Sequence, residues 1–193
     1  MFIPLKVLID TLEEDELNKV LSSFSCSKDD DIEKFLKERA VLFEGLSKAR
    51  TYLIFDEEEL QTKNIASVKV CGYVSLAMKI LKLSKDVSNQ VRKEYDGYNA
   101  KLRGRVQEEF PCYLIGQLGR NSSISSDNLT GCRLLEFALD VVQFAVDAVG
   151  GRLVMVECSP IECLKNFYIT NGFEEIADVP DDGKDMVQMV RMI

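Results

Sequence analysis

The 193 residues, 46% apolar and 29% charged, are enough for one domain, 1–193, with a sizeable core and the make-up of an ordinary globular protein. The net charge of −8 argues against a surface coated for nucleic acid, and the absence of histidine excludes Ser–His and Cys–His nucleophile pairs and most zinc sites. Any acid–base work then falls to carboxylates, tyrosine, lysine, cysteine or water, and no metal is expected.

The opening MFIPLKVLID carries no signal-peptide pattern, and no apolar run approaches the length of a membrane span. With six cysteines scattered and no C-x-x-C pair, reduced thiols and a cytoplasmic location are expected, with no membrane partner. Phe2–Ile9 reads as an opening strand. Glu13–Ser23 reads as a short helix with Leu17, Val20 and Leu21 on its apolar side. The run SKDDDIEKFLKERAVLFEGL places Ile32, Phe35, Leu36, Ala40 and Phe43 at helical spacing and predicts a second helix. Tyr52–Phe55 is a short strand followed by a charged turn, DEEELQTKN. Val68–Leu81 is a long strand in which Gly72 marks a bulge or a close backbone approach.

A brief helix is expected over Lys85–Lys93 and a loop over Glu94–Glu109. Between Lys79 and Arg105 eight basic residues stand against three acidic ones, a net +5 in an otherwise acidic chain. Two readings suit that segment: an exposed insertion with solvated lysines, or a docking surface for an anionic partner.

The stretch from Pro111 to Phe173 organises the rest. A strand around Leu114 leads through a polar loop to a helix starting at Gly131. Leu134, Ala138, Val141, Ala145 and Val149 share one face of that helix, and Gly150-Gly151 end it. Leu153–Val156 is continuously apolar, as a strand buried on both faces should be, so the two strands should be parallel and joined by a crossover. A second helix has Ser159 as N-cap, Pro160 in its first position and Glu162 completing a capping box; Gly172 is its left-handed stop, with Phe173 folding back. Leu164 and Tyr168, four apart, share a face. EEIADV, a turn at Pro180–Gly183 and a strand Met186–Met192 close the chain.

The order predicts an α+β fold: a mixed, mostly antiparallel central sheet with one parallel βαβ crossover and helices on both faces. There is no G-x-G-x-x-G and no Walker loop. Ligands of such a unit sit beyond the carboxyl ends of its strands, which here means Leu118–Arg120, Gly131 and Glu157–Ser159.

The residues from Tyr113 to Phe173, including FY-x-x-NGF, resemble the GNAT superfamily of acyl-CoA N-acetyltransferases. Looser blocks (FSC…DIEKFLKERAVLFE, TYLIFDE, GYVSLA, YLIGQLGRN, GGRLVMVEC, MVQMV) resemble GNAT proteins of bacterial mobile elements and, more distantly, toxins that acetylate aminoacyl-tRNA. The resemblance implies acetyl-CoA as cosubstrate in an opening between the two parallel strands. The backbone of Gln117, Leu118 and Gly119 would pair with the pantetheine arm. The amides of Leu129, Thr130, Gly131, Cys132 and Arg133 would cradle the pyrophosphate, with charge from Arg120 or Arg133. Tyr168 matches the family tyrosine near the sulfur. The usual loop Q/R-x-x-G-x-G/A is here Ser126-Asp127-Asn128-Leu129-Thr130-Gly131, which keeps only the last glycine.

The function implied is direct attack of a primary amine, on a small molecule, peptide or protein, upon the acetyl thioester. Glu157, at the end of its strand, is the candidate to take the amine proton; alternatively it bonds a neighbouring backbone or basic group. Two other readings stand beside this one. The acceptor would be aminoacyl-tRNA, met by residues 79–105, or the domain would be a non-catalytic module that senses CoA or binds a partner. Family habit implies a homodimer.

Overall fold

A computed structural model describes residues 1–125, 127–181 and 184–193. The sheet has seven strands in the order β1 (Phe2–Pro4), β2 (Arg50–Ile54), β3 (Gly72–Lys82), β6 (Glu109–Arg120), β7 (Leu153–Cys158), β9 (Lys184–Met192), β8 (Glu174–Asp181); β4 (Lys101–Leu102) and β5 (Arg105–Val106) form a separate hairpin. The β6–β7 pair is parallel, whereas β1–β2, β2–β3, β7–β9 and β8–β9 are antiparallel. This is the mixed α+β sheet with one crossover, of GNAT-like type. The contacts gather into two units, Met1–Ala77 with Gly116–Asp140 and Met78–Ile115 with Val141–Ile193.

In the first unit, Pro4 stops the opening strand after three residues. Its fixed φ of −60° makes it the N-cap of α1 (Leu5–Thr11), so Leu5 and Leu8 enter the core from a helix rather than a strand. After α2 (Glu14–Ser22), the single helix expected over 28–46 is three pieces: α3 (Asp30–Lys34), a π-helical turn Phe35–Arg39 in which the Ala40 N–H reaches the Phe35 carbonyl, and α4 (Ala40–Gly45). The wide turn still buries Phe35 and Leu36 beside Phe24 and Tyr73. DEEELQTKN is a helix, α5 (Glu57–Thr62), because Asp56 caps it by accepting from the Glu59 N–H and three glutamates fill the first turn. Gly72 is the close approach rather than a bulge: a Cβ there would come within 2.9 Å of the Gly119 carbonyl oxygen.

In the second unit, the expected loop 94–109 is partly built. α6 (Asn89–Asp96) ends at Gly97, in the left-handed region, and the β4–β5 hairpin follows, turning at Arg103 (φ 50°) and Gly104 (φ 78°). Its base is fixed by Arg92, fully buried, whose guanidinium donates to the carbonyls of Ser84, Val87 and Gln107. Leu81, Phe110, Cys112, Leu153, Met155 and Val190 form the core.

α7 (Gly131–Val149) starts and stops as its sequence predicts, but its buried side is Leu134, Leu135, Ala138 and Val142. Val149, placed on that face by periodicity, is 80% exposed. The predicted cap of α8 (Glu162–Thr170) is also corrected. Ser159 and Pro160 belong to a turn, the Ile161 N–H meets the Ser159 carbonyl at 2.7 Å, and Ile161 caps the helix without a side-chain bond. The far end is as predicted: Gly172 takes φ 83° and the Phe173 N–H returns to the Tyr168 carbonyl. The turn expected at Pro180–Gly183 falls partly outside the described residues.

Candidate active site

In the first unit, β6 ends in Gln117, Leu118, Gly119 and Arg120, followed by Asn121. Asn121 is fully buried with every polar group used: its amide nitrogen donates to the carbonyls of Ser23 and Val70 at 2.9 and 2.7 Å, its side-chain oxygen accepts from Ser25 and Ser123, and its backbone N–H meets the Cys71 carbonyl. This one side chain ties the end of β6 to the α2–α3 connection and to the entry of β3. It thereby fixes where the loop toward Gly131 departs. Sequence reasoning passed over it; its only signal was a short polar residue directly after a predicted strand end.

The loop delivers the start of α7 with part of its amide set engaged. Thr130 acts as the cap, its hydroxyl accepting from the Arg133 N–H at 3.1 Å, and the Leu129 N–H points to the Ser125 carbonyl at 3.4 Å. Among the described residues, no group accepts from the amides of Thr130, Gly131 and Cys132. Three unpartnered donors at the positive end of a 19-residue helix suit an anion such as a diphosphate. Arg120 bonds the Leu129 carbonyl at 3.4 Å, and exposed Arg133 pairs loosely with Glu136 at 3.3 Å, a surface contact that a stronger anion would displace. Gly119 lies against Ile32 and Tyr73, with no room for a Cβ. Gln117 turns its side-chain oxygen to the Tyr73 hydroxyl at 3.3 Å. Ser126, in the aligned glycine-loop stretch, lies outside the described residues.

In the second unit, the parallel ladder joins Tyr113, Leu114 and Ile115 to Val154, Met155 and Val156 and stops there, although β6 continues to Arg120 and β7 to Cys158. Glu157 and Cys158 remain paired to Gln188 and Val187 of β9. Lys79 Nζ meets both Glu157 oxygens, at 2.7 and 2.6 Å, and the Gln188 side-chain nitrogen donates to one of them, Oε1, at 2.8 Å. A carboxylate only accepts, so this contact fixes the Gln188 amide orientation and leaves its own oxygen buried with no partner among the described residues. Of the two readings of Glu157, the structure therefore displays the basic partner. Lys79, counted in the sequence only as one of the basic residues of 79–105, and Gln188 are the neighbours of Glu157 that sequence reasoning did not nominate. Gln188 was visible only as a polar residue inside the apolar run MVQMV.

Tyr168 is buried and packed edge-on against Phe167 and Phe173, at ring distances of 5.0 and 5.5 Å. Among the described residues its hydroxyl makes no hydrogen bond. Burial, with the Cys158 thiol adding to it, pushes the phenol well above its ordinary range, so Tyr168 stays protonated and is a donor at any working pH. Burial also raises Tyr73, and raises Tyr95 to about 12. The folded protein keeps these protons where an unfolded chain, titrating near 10, gives them up. Stability is full below about pH 10 and falls as pH rises through 12 and beyond. The urea midpoint should drop between about pH 9 and pH 11, and a constant midpoint would contradict these environments.

The basic segment is less free than its charge count implies. Arg92 is buried, Lys79 is paired with Glu157 and Lys82 with Glu109, while Lys101, Arg103 and Arg105 stand exposed on the hairpin. Burial pushes Cys112 up to about 11 and raises Cys158, which keeps both as inert thiols. Among the described residues, no group of His, Cys, Asp and Glu could hold a metal, and no helix is long and apolar enough to cross a membrane.

No protein-family model and no curated protein sequence matches the chain. Solved structures do. AtaT complexed with acetyl-methionyl-tRNAfMet is 18% identical, with TM-score 0.66 over 97% of this chain and 92% of that one. A tyrosine-to-phenylalanine mutant of KacT is likewise 18% identical, with TM-score 0.66 over 97% and 93%. AtaTR bound with AcCoA is 20% identical, with TM-score 0.62 over 97% and 92%. Along nearly its whole length the chain has the GNAT-like fold of the toxin AtaT and of KacT.

Proposed function

We infer that this protein is an acetyl-CoA-dependent N-acetyltransferase. The observation that carries the reading is the set of amides on Thr130, Gly131 and Cys132 at the start of α7 that have no partner among the described residues, in a fold shared with a protein solved with acetyl-CoA bound. The amides and Arg120 or Arg133 would hold the diphosphate, and the backbone of Gln117, Leu118 and Gly119 would hold the pantetheine arm. The cosubstrate brings an already activated acyl thioester, which suits a site without histidine. Tyr168, protonated and with no hydrogen-bond partner for its hydroxyl among the described residues, would donate to the sulfur as the thiol leaves. Backbone amides following Leu118 would polarise the carbonyl, and Glu157 would receive the amine proton once Lys79 yields its place. The test is release of free CoA with a panel of primary amines. Acceptor-dependent release supports the reading, and its absence with every class of amine supports a non-catalytic CoA-sensing or partner-binding module.

A second reading has its own support. The exposed Lys101, Arg103 and Arg105 on the β4–β5 hairpin, together with the AtaT complex containing acetyl-methionyl-tRNAfMet, favour an aminoacyl-tRNA acceptor. Growth arrest on expression, relieved by Tyr168→Phe, would separate this from acetylation of a small amine. A cytoplasmic homodimer completes the proposal.

A further inference from the structure

Lys79 places a primary amine on the very carboxylate that the reaction would use. Its Nζ lies 2.7 and 2.6 Å from the two oxygens of Glu157, and Gln188 holds Oε1 from the other side at 2.8 Å. The Glu157 side chain is only 16% exposed, whereas that of Lys79 is 36% exposed and open to a reagent. Lys37–Glu33 and Lys165–Glu175 are as short, at 2.6 and 2.7 Å, but neither carboxylate has a part in the proposed reaction, while Lys82–Glu109, Lys6–Asp10 and Lys63–Glu59 are more exposed pairs. An acceptor amine and Lys79 would compete for the same two oxygens.

We propose that Lys79 is an acetylation site of the enzyme itself: in the absence of an external acceptor its ε-amine takes the acetyl group. This rests on the acetyltransferase reading. The Lys79 ammonium passes one proton to Glu157, and the freed lone pair attacks the thioester carbonyl carbon. The C–N bond forms, the C–S bond breaks with its electron pair leaving on sulfur, and the second amine proton ends on that sulfur. The products are N-acetyl-Lys79 and free CoA, and Glu157 returns its proton to water. Acetylation removes the positive charge and the ion pair, leaving Glu157 held by Gln188 alone and open to another amine. The modification is therefore a switch on the same site.

The experiment incubates the purified full chain with acetyl-CoA and follows peptide masses over time, with Lys82, three residues away in the same strand, as internal reference. Acetylation of Lys79 is expected to outpace that of Lys82 by about tenfold or more, as positioning beside a base requires. The preference should vanish in urea-unfolded protein and in Glu157→Gln, and Lys79→Arg should abolish the product. Equal rates at Lys79 and Lys82, or an unmodified Lys79, overturn the inference. Acetyl-CoA binding by calorimetry and CoA release with external amines are measured on the same preparation. Binding or turnover with an unmodified Lys79 overturns only this proposal, whereas no binding at all overturns the acetyltransferase reading with it.

Discussion

Replacing Tyr168 by phenylalanine is expected to lower acceptor-dependent CoA release by about 10²–10⁴-fold, the usual contribution of a positioned acid. The substitution removes one oxygen and keeps the ring that packs on Phe167 and Phe173, so the urea midpoint should stay close to that of the parent. The hydroxyl has no partner among the described residues, so its loss leaves none of their carbonyls unsatisfied. Acetyl-CoA affinity should also hold, because the proposed diphosphate contacts are the amides of α7. A fall in turnover with unchanged binding marks an interaction made in the transition state. Unchanged turnover with a good acceptor would remove the role assigned to this residue.

The second large effect concerns stability. Asn121→Ala strips two hydrogen bonds from the carbonyls of Ser23 and Val70 and leaves Ser25 and Ser123 without their common acceptor, all around a fully buried side chain. Burial of several unsatisfied groups predicts a loss of about 2–4 kcal/mol in urea unfolding. Asn121→Asp is not a rescue, since a carboxylate cannot donate to those two carbonyls. A loss below about 1 kcal/mol would mean that the end of β6 is held by something other than this network.

Much of this architecture is legible from the residues because local signals and burial agree. The apolar run Leu153–Val156, the start of α7 at Gly131 and the left-handed stop at Gly172 are each specified within a few residues. The misreadings have physical causes. The opening apolar alternation suggests a strand, yet Pro4 diverts the chain into a helix after three residues. The glutamates of DEEELQTKN look like a solvated turn, but acids behind a capping Asp56 are a helix start. Ser159 and Pro160 have the chemistry of a cap, and the 2.7 Å bond from Ile161 to Ser159 spends them on a turn instead. In the candidate site, a readable strand end nominated Glu157, and the resemblance carried by FY-x-x-NGF nominated Tyr168. Lys79 and Gln188 reach Glu157 from 78 and 31 residues away, a proximity that sheet order creates and that no local pattern announces. The basic segment shows the converse: its charge count was plain, but Arg92 is buried and Lys79 and Lys82 are paired, so the exposed charge left without an ion pair among the described residues is that of Lys85, Lys93 and the three basic residues of the hairpin.

The central claim, that the start of α7 receives the diphosphate of a thioester cosubstrate, is tested most directly by calorimetric titration of acetyl-CoA into the parent protein and into Gly131→Glu. A glutamate in the first turn favours the helix itself, so the variant should fold, but its carboxylate would compete with and repel the ligand's phosphates. Saturable one-to-one binding to the parent, weakened about tenfold or more in Gly131→Glu, is the predicted result. Equal affinity in the two proteins, or no binding to the parent, would contradict it.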